Sequence, residues 1–218
     1  MKKKISTFVI NLEKRPDRKR HILNEFLDKP EFDLKVVNAI EHTNGSYGLW
    51  MTISHILCEL VDQEDEFFLI VEDDHVFTEY YDRQFFLDSL AYAGSLDAEV
   101  LLGGVSWFNS AVPASRNLFW IDTFNATQFV IVYKSFYSKF IKNLETYSDS
   151  ADINISKIAD RKFVLHPFIS TQKEFGYSDA TAFNVQEGYV TQIFTHSKKR
   201  LKSLNKVLDF YSETIKQS

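Results

Sequence analysis

The run Phe67-Phe68-Leu69-Ile70-Val71 constrains this chain more than any other feature. It follows the acidic stretch Glu64-Asp65-Glu66 without transition. A half-exposed strand would alternate apolar with polar residues, and a helix face would repeat at three and four. An unbroken apolar run of this kind suits a central strand covered on both faces, as in sheets with helices on either side. The run passes straight into Glu72-Asp73-Asp74, which puts three carboxylates at the strand's carboxyl end.

The rest of the chain supplies such a sheet. Ile5 to Leu12, Leu34 to Ile40, Glu99 to Leu102, Phe129 to Tyr133 and Phe163 to Leu165 are further strand segments. Between the first two, Pro16 can open a helix, because its missing N–H costs nothing there, and Ile22, Leu23, Phe26 and Leu27 give that helix an apolar face. Tyr47 to Val61 reads as a buried helix through Trp50, Met51, Ile53, Ile56, Leu57 and Leu60. Another helix follows Tyr133 and runs to about Leu144. Strands alternating with helices predict an α/β architecture with a mostly parallel central sheet flanked by helices.

The chain has 218 residues, 44% of them apolar, which is enough for one large buried core. We expect a single domain over residues 1–197 and an amphipathic basic helix over 198–218. Leu201, Leu204, Val207, Leu208 and Tyr211 form that helix's stripe, and Lys198, Lys199, Arg200, Lys202 and Lys206 surround its start. It either packs on the domain or docks weakly on an anionic membrane surface.

A net charge of −5 argues against general nucleic-acid binding. Cys58 is the only cysteine, so an intrachain disulfide and a thiolate zinc cage are excluded. This fits a reducing, cytoplasmic compartment, including the inner face of a membrane. The basic start Met1-Lys2-Lys3-Lys4 precedes a stretch too short for a signal-peptide core. No apolar run approaches the ~18 residues that would span a bilayer.

In open α/β sheets, ligands bind beyond the carboxyl ends of the strands. Carboxylates at that place can hold a hard divalent cation such as Mn²⁺ or Mg²⁺. Such a cation neutralises a diphosphate and stabilises a leaving nucleotide. Adjacent side chains in an extended segment point oppositely, so Glu72 and Asp74 share a side and are the better metal pair, with Asp73 facing away or contacting a sugar. The plainer reading is an acidic turn after a buried strand. A phosphatase-like aspartate nucleophile is a third, but the threonine expected shortly after it is missing. Asn11, Arg15 and Arg18 follow the first strand, where base and phosphate contacts begin in a nucleotide-binding fold. Their alternative is a solvated basic helix start. His55 sits on a helix otherwise full of core residues, where a lone histidine is commonly structural. His166 and His196 lack the spacing of metal ligands.

The ordering of these segments carries more. Phe8-Val9-Ile10-Asn11-Leu12 with Arg15 and Asp17-Arg18, then Gly45, Gly48 and Ser54-His55, then Leu69 through Asp74 follow one another. Thr127 to Tyr133, Asp152, and Pro167 through Gln172 to Ser178-Asp179 come after them. The set resembles, in order over roughly residues 5–180, the lipopolysaccharide-type glycosyltransferases of family 25. The resemblance implies a GT-A-type fold, a UDP-sugar donor (galactose or glucose being typical), and transfer with inversion to a surface glycan or lipid-linked saccharide. It favours a donor-binding role for His55. An inverting transfer needs a general base at the acceptor hydroxyl. The resemblance points to Asp152 first, at the start of a helix, and to Asp179 second; capping and turn roles are their alternatives. Trp50-Met51 and Gln128-Phe129 depart from the family pattern and leave open an unusual sugar or a weakened enzyme. A non-catalytic nucleotide- or sugar-binding relative is the competing class, against which the complete acidic triplet counts. Phosphoryl transfer of the P-loop type lacks its glycine-rich loop.

Overall fold

The computed structural model describes residues 4–176 and 187–216. The first half runs β1 (Ile5–Asn11), α1 (Pro16–Glu25), β2 (Phe32–Asn38), α2 (Gly45–His55), β3 (Phe67–Glu72), β4 (His75–Phe77), α3 (Arg83–Ser95) and β5 (Val100–Leu102). The second half runs β6 (Trp107–Phe108), β7 (Ala111–Ser115), β8 (Leu118–Ile121), β9 (Phe124–Asn125), β10 (Phe129–Tyr133), α4 (Lys134–Lys142), α5 (Ala151–Ile158), β11 (Lys162–Leu165), β12 (Ser170–Gln172) and α6 (Tyr189–Lys216).

The chain is α/β, as expected, around a sheet in the order β2-β1-β3-β10-β5-β11-β8-β7. β1 pairs in parallel with both β2 and β3, and β5 with β11. β10 lies antiparallel between β3 and β5, and β8 is antiparallel to β11 and β7. Most strands therefore point one way, and β10 and β8 run against them. β3 sits inside the sheet and is covered on both faces. Phe68 and Ile70 belong to one hydrophobic cluster, while Leu69 and Val71 belong to the other. That division explains why the strand shows no polar alternation.

Local chemistry sets the helices that meet the carboxyl ends of these strands. Pro16 opens α1 as expected. Asn44 caps α2, its side-chain oxygen accepting from the Ser46 and Tyr47 amides at 3.1 and 3.2 Å. Gly48 lets α2 come down on the chain leaving β2, since a Cβ there would lie 2.5 Å from the Ile40 carbonyl oxygen. The predicted buried helix over Tyr47–Val61 is α2 followed by a π-helical turn at Ile56–Leu60.

Two small antiparallel sheets, β4–β12 and β6–β9, stand beyond the main one. They and α3 were not anticipated. α3 carries a legible start, because Asp82 accepts from the Phe85 amide at 2.8 Å and Phe86, Leu90 and Ala93 are buried below it. α6 begins at Tyr189, well before Lys198. Val190, Phe194 and Leu201 are buried, while Val207, Phe210 and Tyr211 are exposed. Ser197 Oγ donates to the Ser106 carbonyl at 2.7 Å, and Arg200 donates to the Asn109 carbonyl at 2.7 Å. No described helix is long and apolar enough to cross a membrane.

Candidate active site

A cavity of about 950 Å³ opens at the carboxyl ends of β1, β2 and β3. Ile10, Leu12, Ala39 and Ile40 wall one end of it. Ser106, Trp107, Asn125, Tyr189 and His196 wall another part. Glu72, Asp73 and Asp74 lie in its lining, together with the first turns of α2 and α5. Sheet order puts β3 between the strands that supply the first wall and the β5 end that leads to Trp107.

The three carboxylates divide their work. Glu72 closes β3, and its Oε1 accepts from Thr127 Oγ1 at 2.6 Å. The strand stops there, and Asp73 and Asp74 lie in the turn that leads to β4. Strand alternation therefore does not extend to them, and Asp73 lines the same cavity rather than facing away. Asp73 Oδ2 accepts from Asn11 Nδ2 at 2.8 Å. The Arg18 guanidinium is 3.3 Å from Asp73 Oδ1 and 3.5 Å from Asp74 Oδ2, and Arg18 itself is 4% exposed. Arg18 thus bridges the two aspartates, and Asp73 has the Asn11 amide as a further partner.

Glu72 and Asp74 are left electrostatically strained. Burial pushes the Glu72 carboxyl up to about 8; the Asp74, Asp73 and Asp152 charges add to the rise and the Thr127 bond opposes it. Burial also lifts Asp74 to about 6, reinforced by Asp73 and opposed by Arg18, Gln172 and Arg15. Asp74 Oδ1 is buried with no hydrogen-bond partner among the described residues. Such a pair fits a hard cation, which would relieve the repulsion and take the open oxygen. Among the described residues, no group of three or more His, Cys, Asp or Glu side chains is placed to hold a metal. Two carboxylates with substrate phosphates are the usual complement for Mg²⁺, so the pair suits a cation that arrives with a diphosphate.

Asp152 lines the cavity from the first turn of α5. Its Oδ2 accepts from the Ala126 amide at 2.9 Å, and its Oδ1 accepts from the Ile153 amide at 2.9 Å and from Ser150 Oγ. Ala126 has φ 114°, a conformation that side chains rarely adopt. The Asp152 bond holds this residue just before Thr127, the partner of Glu72. A chain of contacts thus joins α5 to the end of β3.

No family model matches the chain, and no curated protein matches it. Solved structures do. One is a glycosyltransferase involved in the glycosylation of the major capsid of PBCV-1, at 10% identity and a TM-score of 0.47, with 74% of this chain and 81% of that one covered. Another is a UDP-glucose pyrophosphorylase complexed with UDP-glucose, at 8% identity and a TM-score of 0.47, with 89% and 81% covered.

The cavity gathers Arg15, Arg18, Glu72, Asp73, Asp74 and Asp152. Asn11 is buried behind the wall, bracing Asp73 and, at 3.2 Å, the Arg15 carbonyl. His55 is outside the lining; its Nδ1 is 3.4 Å from Glu59 Oε2, one helical turn on. Asp179 lies outside the described residues. His196, which lacks the spacing of a metal ligand, also lines the cavity, and Thr127, Trp107, Tyr189 and Arg200 join the lining without a sequence signal that marks them as site residues. Thr127 opens the segment that leads into β10, and nothing local in α6 marks it as a cavity wall.

Proposed function

We propose that the chain is a metal-dependent glycosyltransferase of GT-A type, which transfers a hexose from a UDP-sugar to a saccharide acceptor with inversion. The observation that carries this reading is the half-buried, mutually repelling pair Glu72 and Asp74 beside Arg15 and Arg18 in a cavity at the strands' carboxyl ends. That arrangement suits a magnesium or manganese diphosphate better than a free anion, which would meet the same carboxylates unneutralised.

Glu72 and Asp74 would hold the cation, which when bound supplies charge neutralisation for the departing nucleotide. Asp73 is the positioning carboxylate, since its bonds to Asn11 and Arg18 fix the turn that presents Asp74. The apolar wall of Ile10, Leu12, Ala39 and Ile40 suits the flat face of the base, and Arg15 lies where a diphosphate would pass. Asp152 is the candidate general base. A carboxylate has about four lone-pair sites, so the contacts it makes leave room for an acceptor hydroxyl. It would take that proton as the hydroxyl oxygen attacks the anomeric carbon from the side opposite UDP.

The test is thermal unfolding with UDP, Mn²⁺ and the two together. A ligand that binds only the folded state adds about 2.7 kcal/mol at a hundredfold excess over its Kd. Stabilisation by the pair beyond that from either alone is the expected result. An unchanged melting temperature with both in excess would overturn the donor assignment.

A further inference from the structure

We propose that Trp107 is the stacking platform for a pyranose ring of the saccharide acceptor. The inference rests on the glycosyltransferase reading and adds where the acceptor lies. The chain has three tryptophans, and they differ in kind. Trp50 is buried and its Nε1 donates to the Leu144 carbonyl at 3.2 Å. Trp120 donates from Nε1 to the Asp160 carbonyl at 2.9 Å. Trp107 is 47% exposed in the cavity wall. Among the described residues it has no hydrogen bond from its indole nitrogen and no ring or cation partner. The neighbouring guanidinium, Arg200, lies instead over Phe108, 4.0 Å from that ring's centroid.

The backbone beneath Trp107 is held at several points. Gly103 bonds through its amide to the Phe129 carbonyl at 3.1 Å, and its carbonyl accepts from the Ile169 amide at 2.9 Å. Ser106 is fixed to Asn125 through both its amide and its hydroxyl, and α6 binds its carbonyl through Ser197. A large exposed ring on a fixed backbone loses little freedom when something stacks on it. The electron-rich indole face suits the C–H face of a sugar, while the hydroxyls at the ring's edge can reach polar groups in the wall such as Asn125 and His196.

Position selects the acceptor over the nucleotide. Trp107 follows β5, and β3 with its acidic turn lies between β5 and the β1–β2 wall in the sheet. A sugar nucleotide anchored at that wall reaches the carboxylates first, and a second saccharide meeting it from the far side reaches Trp107.

The test uses wild type, Trp107→Phe and Trp107→Ala, each with UDP and Mn²⁺. Indole fluorescence is titrated with methyl β-D-galactopyranoside, methyl β-D-glucopyranoside and methyl α-D-mannopyranoside, and isothermal calorimetry reads the same titrations without relying on the indole. UDP stabilisation against heat reports the nucleotide end separately. The expected result is a saturable fluorescence change in wild type with at least one glycoside. Calorimetric affinity should fall roughly tenfold in Trp107→Ala and much less in Trp107→Phe, with UDP stabilisation kept in both. A glycoside that binds wild type and Trp107→Ala equally would overturn the inference. UDP stabilisation without any glycoside response in wild type would also overturn it, while leaving the donor reading standing. Joint loss of UDP and glycoside binding in both variants would put Trp107 in the donor site and equally overturn it. A Trp107-dependent glycoside response in a protein that ignores UDP would support the stacking face and sink the donor reading.

Discussion

Adjacent carboxylates in one turn have different functions here, and substitution should separate them. Asp73 is bonded to Asn11 and Arg18, and Arg18 is buried. Asp73→Ala removes the nearer of that guanidinium's two carboxylate contacts, so we expect a loss of roughly 3 kcal/mol in urea unfolding. Asp74→Asn removes a charge that Glu72 and Asp73 repel, so stability should hold or rise, while metal-dependent turnover of UDP-sugar falls by at least about a hundredfold. Equal damage to stability from both substitutions would contradict this division. Asp152→Asn keeps the acceptor oxygen that faces the Ala126 amide. Helix capping alone would cost about 1 kcal/mol or less on that change. We expect UDP affinity nearly unchanged and acceptor transfer down by about 10²–10⁴. Transfer near normal would leave Asp152 as a brace for Ala126 and Thr127 only. A parallel fall in UDP affinity would move it to the donor side.

Among the elements, α2 decides how the cavity is closed, and Gly48 decides where α2 sits. Alanine is intrinsically better in a helix than glycine by about 1 kcal/mol. At Gly48 the added methyl would lie 2.5 Å from the Ile40 carbonyl oxygen, which is backbone and cannot swing away. The steric term should win, so Gly48→Ala is expected to cost about 1–3 kcal/mol net in chemical denaturation. It should also weaken UDP binding, because Gly45 and Ser46 at the same helix's start line the cavity. A stabilised Gly48→Ala would show that α2 can shift freely from β2. The element-level surprises have local causes too. β4, β6, β9 and β12 have two or three residues each, too few for any hydrophobic period to register. α3, by contrast, carries a cap at Asp82 and an apolar face in its own sequence.

For the whole molecule, the acidic cluster predicts how stability follows pH. Glu72 has an ordinary value of 4.5 when unfolded and about 8 when folded; Asp74 moves from 3.8 to about 6. Between those values the folded state binds more protons than the unfolded state. Their contribution to stability is therefore fully present at low pH and is lost as pH rises, chiefly between about 4.5 and 8. Wild type minus Glu72→Gln, followed by urea unfolding across that range without metal, should grow more unfavourable to wild type as pH rises. A cation needs the ionised carboxylate, so Mn²⁺ should narrow the gap, most at the alkaline end. A pH-independent gap would mean that Glu72 is not buried in the way the fold requires.

How much of this could be read from the chain alone follows from the range of each interaction. Phe67 to Val71, the proline that opens α1 and the α/β class are set by neighbours in sequence, and the residues carry them directly. The place of the acidic triplet at the carboxyl end of a central strand also follows, because a buried strand must end somewhere and charge cannot follow it inside. The placing of β10 antiparallel between β3 and β5 joins residues far apart, and no local pattern encodes its direction. Arg18 stands with the phosphate-contact candidates after β1 in sequence, and only the turn after β3 brings two carboxylates to it. His55, on the same helix as the cavity-lining Gly45, lies off the cavity because of the helical turn between them and the way α2 packs. Trp107 and α6 enter the cavity wall only because distant strands and a long helix fold over the same end of the sheet. Residue type and short-range periodicity determined which elements form and where charge gathers; burial and long-range packing decided which of those charges are neutralised inside and which remain for a ligand.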